Sequence, residues 1–318
     1  MKNENLKASF IIPTKNNAKT IEQCLRSVLA YRKYIQDIVV VDGNSTDGTL
    51  DIVRKFQVDK ILADPGKGQN LAYEIGWRAS EGDLIVFMDG DAFLGDGFFP
   101  TIYQYFDDEK MGIVGCPSCA PVSCNDRSVA RGLFLKTVSQ WEEYAHKRLL
   151  NPRGLLQIAY RFTFVRKGDD LPPCGPCQVV RRNCLEAFDG YRGVSLKLPT
   201  DAVLAARVIM NGWKSCAWLN SPVRHYPRST IKELMGEAYR WGRERRFFQR
   251  DPEFKSRSSM FQGTTYILGS LASPFIGVML ALRFGNPWHI MLFPLTRYTS
   301  LVSYLRALWA HDTGEKVP

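Results

Sequence analysis

At 318 residues, 45% apolar and 23% charged, the chain has the material for one large α/β domain plus an appendage. Lys and Arg number 42 against 32 Asp and Glu, a formal charge of +10 that suits a nucleotide, a nucleic acid or an anionic membrane face. No internal repeat or low-complexity tract is present, which excludes repeat arrays, and the basic residues lack the aromatic interleaving of a nucleic-acid-reading surface.

An apolar run at residues 8–12 opens the chain almost at once, so no signal peptide is expected. Strand-like runs at residues 10–12, 38–41, 60–62 and 84–88 alternate with helical patterns at 20–31, 49–56 and 69–80, with Asp47 as the expected N-cap of the second helix. This rhythm predicts a mostly parallel sheet with helices on both faces. Next come a strand near 112–115, a long amphipathic helix at 128–149 carrying Trp141 and Tyr144, and a basic, Pro/Gly-punctuated segment at 151–173 expected to be mobile or to face the acceptor. A strand at 178–181, a helix at 201–211 and a strand at 215–219 complete this region.

The C-terminal third changes character. A helix at 232–249 carries Arg240 and Arg243, within a basic cluster that continues through Arg257. Residues 258–282 then lack any charge, a length sufficient to span a bilayer. After a break at 283–287, a second apolar stretch at 288–309 contains Arg297 and Arg306 and reads as a weaker span or an interfacial helix. The expected division is therefore a catalytic domain at 1–227, a basic juxtamembrane helix at 228–257 and a membrane hairpin or interfacial anchor at 258–318, with the catalytic domain on the cytoplasmic side. A buried helical hairpin or dimer interface is the competing reading of the tail.

Eight cysteines include two Cys-x-x-Cys pairs, Cys116/Cys119 and Cys174/Cys177. Such pairs can build a zinc site, but neither sits on an evident zinc ribbon, and residues 178–182 read as a strand where a redox motif would open a helix. Free thiols in a reducing compartment are the favoured reading.

Four strand-end turns carry the chemistry. Pro13 and Thr14 end the first strand, Asp42 ends the second, Lys67 and Asn70 flank the start of the third helix, and Asp89-Gly90-Asp91 ends the fourth strand. In a parallel sheet these turns fall on the same edge, where ligands bind. Asp42 suits the donor edge of a nucleobase, and Lys67 with the helix amides suits phosphate. Asp89 and Asp91, one residue apart, repel each other unless a cation lies between them, and a divalent metal carrying a diphosphate meets that need. A solvated acidic turn, a helix cap or a surface charge accounts for each residue taken singly; their order and spacing favour the site.

Taken together, Ile11-Ile12-Pro13-Thr14, Cys24-Leu25-Arg26-Ser27, Val40-Val41-Asp42 through Gly48-Thr49, Gly66-Lys67-Gly68, Asn70, Gly76 and Asp89-Gly90-Asp91 resemble a family 2 glycosyltransferase of the GT-A fold, a Rossmann-like α/β class. The resemblance covers residues 8–225 and is specific to the family, not to one sugar. It implies inverting transfer from a UDP- or GDP-sugar with Mg²⁺ or Mn²⁺ as cofactor. Leu198-Pro199-Thr200-Asp201 occupies the place of the family's Glu-Asp pair, which implies Asp201 as general base, although Thr200 replaces the Glu. His225 lies where several relatives place a third metal ligand, beside Asp89 and Asp91. Arg240 and Arg243 are in reach of the donor's phosphates or of lipid headgroups.

A retained base leans towards a hydroxyl acceptor such as a lipid-linked glycan, since an ionised lipid phosphate needs little help from one. Asn16-Asn17-Ala18, where polyprenyl-phosphate-using relatives usually carry Glu, points the same way. A polyprenyl-phosphate glycosyltransferase is the nearest alternative. A sugar nucleotidyltransferase would show a glycine-rich basic loop after the first strand, which is absent, and intact Asp42, Asp89, Asp91 and Asp201 argue against a non-catalytic scaffold.

Overall fold

The computed structural model describes residues 6–116, 120–121, 175–218, 221–226, 228, 230–254, 259–309 and 316–318. Strands β1 (Ala8–Thr14), β2 (Ile35–Asp42), β3 (Lys60–Ala63) and β4 (Leu84–Met88) alternate with helices α1 (Ile21–Leu29), α2 (Thr49–Val53) and α3 (Gln69–Arg78). There follow β5 (Ala92–Leu94), α4 (Phe98–Tyr105), β6 (Met111–Cys116), β7 (Ala120–Pro121), β8 (Cys177–Arg181), α5 (Arg182–Ala187), α6 (Thr200–Met210), β9 (Lys214–Ala217) and β10 (Val223–His225). Helices α7 (Ile231–Arg250), α8 (Ser259–Leu271), α9 (Ser273–Phe284) and α10 (Trp288–Arg306) complete the chain.

The main sheet has seven strands in the order β3-β2-β1-β4-β8-β6-β9. All neighbours are parallel except β8, which runs against both β4 and β6. Successive side chains of a strand point to opposite faces, and here both faces are covered, so the strands read as continuous apolar runs. Phe10, Ile12, Val40 and Val86 pack with Leu25 of α1 and Phe98, Phe99 and Ile102 of α4. Ile11, Val39, Val41, Ile85 and Phe87 face the other way, against Leu71 and Trp77 of α3 and Leu204 and Val208 of α6. Gly76 allows α3 to lie close on the sheet, because a Cβ there would collide with the side chain of Ile11.

Within the described residues the expected strands and helices are found; the first three helices end two or three residues early, the helix expected at 201–211 is Thr200–Met210, and that expected at 232–249 is one residue longer at each end. The small sheet β5-β10-β7 was not foreseen, because its strands are only two or three residues long. The helix expected at 128–149 and the segment 151–173 lie outside the described residues. The expected N-cap of α2 is displaced by one residue: Gly48, at φ +87°, caps the helix, while Asp47 before it accepts the Thr49 N–H on Oδ1 at 3.1 Å.

The expected membrane span is corrected. The uncharged run is broken at Ala272, ahead of Ser273 and Pro274, into helices of 13 and 12 residues. At 1.5 Å per residue each is about 20 Å long, short of the ~30 Å hydrocarbon core. Among the described residues, no helix is long and apolar enough to cross a membrane. The tail instead packs on the basic helix. The Tyr304 hydroxyl donates to Gln249 Oε1 at 2.8 Å, Leu234 meets Leu292, and Gly242 gives α7 room beside the Ser300 backbone.

Cys116 and Cys177 are buried free thiols placed opposite each other in the β6–β8 pair. Their Cys-x-x-Cys counterparts, Cys119 and Cys174, lie outside the described residues.

Candidate active site

Parallel pairing aligns the strand ends. Thr14 lies opposite Asp42, and Asp42 opposite Ala63, so Asp42 and Asp64 emerge on one edge with Asp89 just beyond β4. A cleft of about 390 Å³ opens along this edge, lined by Pro13, Thr14, Asp64, Gln69, Asp89, Asp91, Arg228 and Arg240 among others.

Asp89, Asp91 and His225 each offer a ligand atom within 4.8 Å of the others. The small sheet explains how. β5 begins directly after Asp91 and pairs antiparallel with β10, setting His225 opposite Ala92, while the Tyr226 N–H donates to the Asp91 carbonyl at 3.0 Å. Asp91 Oδ1 lies 3.1 Å from His225 Nε2, and its Oδ2 accepts from Arg228 Nη1 at 3.1 Å. Asp89 Oδ1 accepts from Gln69 Nε2 at 2.6 Å and from the Tyr73 hydroxyl at 3.2 Å. Burial, and then the charge of Asp91, push the Asp89 carboxyl above its ordinary value. Burial acts on Asp91 in the same sense, but the hydrogen bond and charge of His225 and the nearby Arg228 outweigh it and hold Asp91 low. Two partly buried carboxylates and an imidazole form an oxygen–nitrogen donor set that fits Mn²⁺, and Mg²⁺ less well.

Asp42 is buried between the cleft-lining residues Val41 and Gly43 and does not itself line the cleft. Its Oδ2 accepts the Ser45 N–H at 3.0 Å, whereas its buried Oδ1 has no hydrogen-bond partner among the described residues. An unpartnered buried carboxylate oxygen is costly, and the donor edge of a base would satisfy it. Asp64, not singled out from the sequence, shapes the neighbouring turn by accepting the Gly66 N–H at 3.0 Å, and burial raises its pKa.

Asp201 sits in the first turn of α6, its Oδ1 accepting the Ala202 N–H at 2.8 Å. Burial raises its pKa, against the charge of Arg240. Asp201 does not itself line the cleft; the buried Tyr191 donates to the neighbouring Thr200 carbonyl at 3.5 Å and packs on Tyr73, whose hydroxyl meets Asp89. Glu244 of α7 is also near Asp201, and burial raises it to about 7.

The family model described as "Glycosyl transferase family 2" matches residues 9–187, more than half of the chain. The chain belongs to glycosyltransferase family 2. It is 25% identical over 245 residues to the poly(ribitol-phosphate) beta-N-acetylglucosaminyltransferase TarS of Staphylococcus aureus, covering 74% of this chain and 38% of TarS. A shorter match, 36% identical over 90 residues, links it to glycosyltransferase AglE of Haloferax volcanii, covering 26% of this chain and 30% of AglE. The chain thus spans little more than a third of the length of TarS. In fold it is similar to the mannosyltransferase PcManGT from Pyrobaculum calidifontis, solved with GDP-Man and Mn²⁺, at a TM-score of 0.60 and 17% identity over 96% of this chain and 87% of that one. It also matches S. aureus TarS 1-349 with UDP-GlcNAc, at a TM-score of 0.52 and 18% identity over 94% and 89%. These likenesses establish the GT-A-like α/β fold.

Within this family 2 chain, the structure brings Pro13, Thr14, Asp89, Asp91 and Arg240 to one cleft, with His225 beside Asp91, while Asp42 and Asp201 do not line it. Three expected donor contacts sit elsewhere. The Asn70 side chain is buried and points to the loop before α6, donating to the carbonyls of Ser195 at 3.2 Å and Leu198 at 2.9 Å, so its observed work is to tether the segment that carries Asp201. Lys67 is exposed and does not line the cleft, and Arg243 lies outside it while Arg240, nearly one helical turn away, lies inside. Gln69, Tyr73 and Arg228 were missed. Gln69 and Tyr73 share a face of α3 at i, i+4 spacing, and Arg228 follows His225 by three residues; both signals exist in the sequence but need the site's location to be read.

Proposed function

We propose that this chain transfers a sugar, with inversion, from a nucleotide-sugar donor to a hydroxyl group of a lipid-linked glycan. The observation that carries the reading is the convergence of Asp89, Asp91 and His225 within 4.8 Å, the two carboxylates lining a cleft together with Arg228 and Arg240. Asp42 would accept from the base. Arg240 would face the diphosphate. Mg²⁺ or Mn²⁺, held by Asp89, Asp91 and His225, would supply charge neutralisation for the leaving group.

In the transfer step, the acceptor oxygen forms a bond to the anomeric carbon as that carbon's bond to the diphosphate oxygen breaks. The acceptor proton passes to a carboxylate oxygen of Asp201, and the nucleoside diphosphate leaves with the bonding electrons. A raised Asp201 pKa suits this role, because a base whose pKa moves towards neutral holds the proton better. The test is release of nucleoside diphosphate from a panel of UDP- and GDP-sugars with Mn²⁺ or Mg²⁺ and detergent-dispersed lipid-linked glycan. Reaction of only a nucleoside triphosphate with a sugar phosphate would replace this reading with nucleotidyl transfer.

The tail is proposed to rest on a membrane surface without crossing it, with the catalytic domain on the cytoplasmic side. Leu282 of α9 and Trp309, just past the end of α10, are 81% and 87% exposed, and Phe275 and Met279 of α9 and Met291 and Leu295 of α10 are exposed as well. Residues 258–310 contain no Asp or Glu, while Arg283, Arg297 and Arg306 supply positive charge. An apolar face free of anions fits an anionic lipid surface. Co-sedimentation with anionic but not with neutral vesicles is expected; self-association in place of vesicle binding would assign the face to a second copy.

A further inference from the structure

The two arginines of the cleft come from different elements and meet at one carboxylate. Glu237 Oε1, on α7, accepts from Arg228 Nη2 at 2.9 Å and from Arg240 Nη2 at 3.3 Å. Arg228 gives its other terminal nitrogen to Asp91 at 3.1 Å, and Arg240 Nε lies 3.6 Å from Glu244. The Glu237 side chain is 12% exposed, and it does not line the cleft. Arg240, by contrast, is half exposed.

Without Glu237, Arg228 would keep Asp91 and Arg240 would keep Glu244, but no other carboxylate among the described residues joins the two guanidinium groups. They repel each other, and the half-exposed Arg240 would regain the rotamer freedom of a long surface side chain. The contacts with Glu237 and Glu244 use Nη2 and Nε of Arg240. A guanidinium has five N–H donors in a rigid fork, so part of the fork stays available to an anion in the cleft.

We propose that Glu237 is a positioning residue that fixes Arg228 and Arg240 as a paired clamp for the diphosphate of the donor, without touching the donor. The proposal rests on the nucleotide-sugar reading for the identity of the ligand. Its geometry ties Asp91 to α7 through Arg228, Glu237 and Arg240.

The sign of one substitution separates this role from simple electrostatics. Glu237→Gln removes a negative charge near an anion site, so Coulomb's law alone predicts tighter diphosphate binding. Loss of the clamp predicts weaker binding, because the ordering that the carboxylate supplies is lost. The experiment measures affinity for inorganic pyrophosphate with Mg²⁺, for UDP and GDP, and for uridine and guanosine, in the full chain and in Glu237→Gln and Glu237→Asp. The expected result is a roughly tenfold loss of pyrophosphate and nucleoside diphosphate affinity in Glu237→Gln, charge-assisted hydrogen bonds being the strong ones. Nucleoside affinity should stay within about twofold, partial recovery is expected in Glu237→Asp, and the donor KM should rise more than kcat falls.

Unchanged or tighter pyrophosphate binding in Glu237→Gln overturns the proposal. So does a parallel loss of nucleoside and pyrophosphate binding, which marks a merely structural ion pair. A chain that binds pyrophosphate through Glu237 but accepts no nucleotide-sugar would overturn the sugar-transfer reading and leave the clamp standing.

Discussion

His225 Nε2 lies 3.1 Å from Asp91 Oδ1 although 134 positions separate the two residues. The β5–β10 pair places His225 opposite the residue after Asp91, so the third ligand atom comes from backbone pairing at the edge of the main sheet. If this contact belongs to a metal site, Asp91→Asn and His225→Ala should each weaken Mn²⁺ binding by at least about tenfold in calorimetry. Chelation should abolish nucleoside diphosphate release, and added Mn²⁺ should restore it. Equal Mn²⁺ affinity in all three proteins would dismiss the site.

Asp201→Asn should lower kcat by roughly 10³, within the range expected of general base catalysis, with donor affinity changed by less than about twofold. Pre-steady-state turnover alongside donor titration makes the separation. A donor affinity that falls as far as the rate would move Asp201 from the base role to a binding role.

Glu244 gives a pH-dependent stability. Burial holds its carboxyl near 7 in the folded chain, against an ordinary value of 4.5. The folded state therefore binds the proton more tightly than the unfolded state. Its stabilising contribution is complete below pH 4.5 and is lost as pH rises through 7. Glu244→Gln should melt a few degrees higher than the native chain at pH 8, for at most ~3 kcal/mol, and equally at pH 4.5. Thermal melts at the two pH values decide; a constant difference would deny the shifted titration.

Asn70→Ala should destabilise the chain by about 1–3 kcal/mol, since it leaves the Ser195 and Leu198 carbonyls without their donor in a buried setting. Because those residues precede α6, kcat should fall more than donor affinity. A loss confined to donor affinity would return Asn70 to the donor site.

Much of this architecture was legible in the sequence because two-sided burial writes continuous apolar runs, and parallel strands send their ends to one edge. Asp42, Asp89 and Asp91 could be placed by that rule alone. His225 needed family resemblance, since a three-residue strand such as β10 has no usable periodicity. Arg228 and Glu237 were invisible as a pair, because their meeting depends on how α7 crosses the cleft. Asn70 misled: a residue at the right edge by sequence can turn its side chain inward. The tail misled for another reason, in that a count of uncharged residues ignores the interruption ahead of Pro274.

The central claim is that Asp89, Asp91 and His225 organise a cleft for a nucleotide-sugar. Its most direct measurement is nucleoside diphosphate release from UDP- and GDP-sugars by the full chain and by Asp91→Asn, each with Mn²⁺. The account predicts release with at least one donor by the native chain and a loss of about 10² or more in Asp91→Asn. No release from any nucleotide-sugar, or equal release by both proteins, would contradict it.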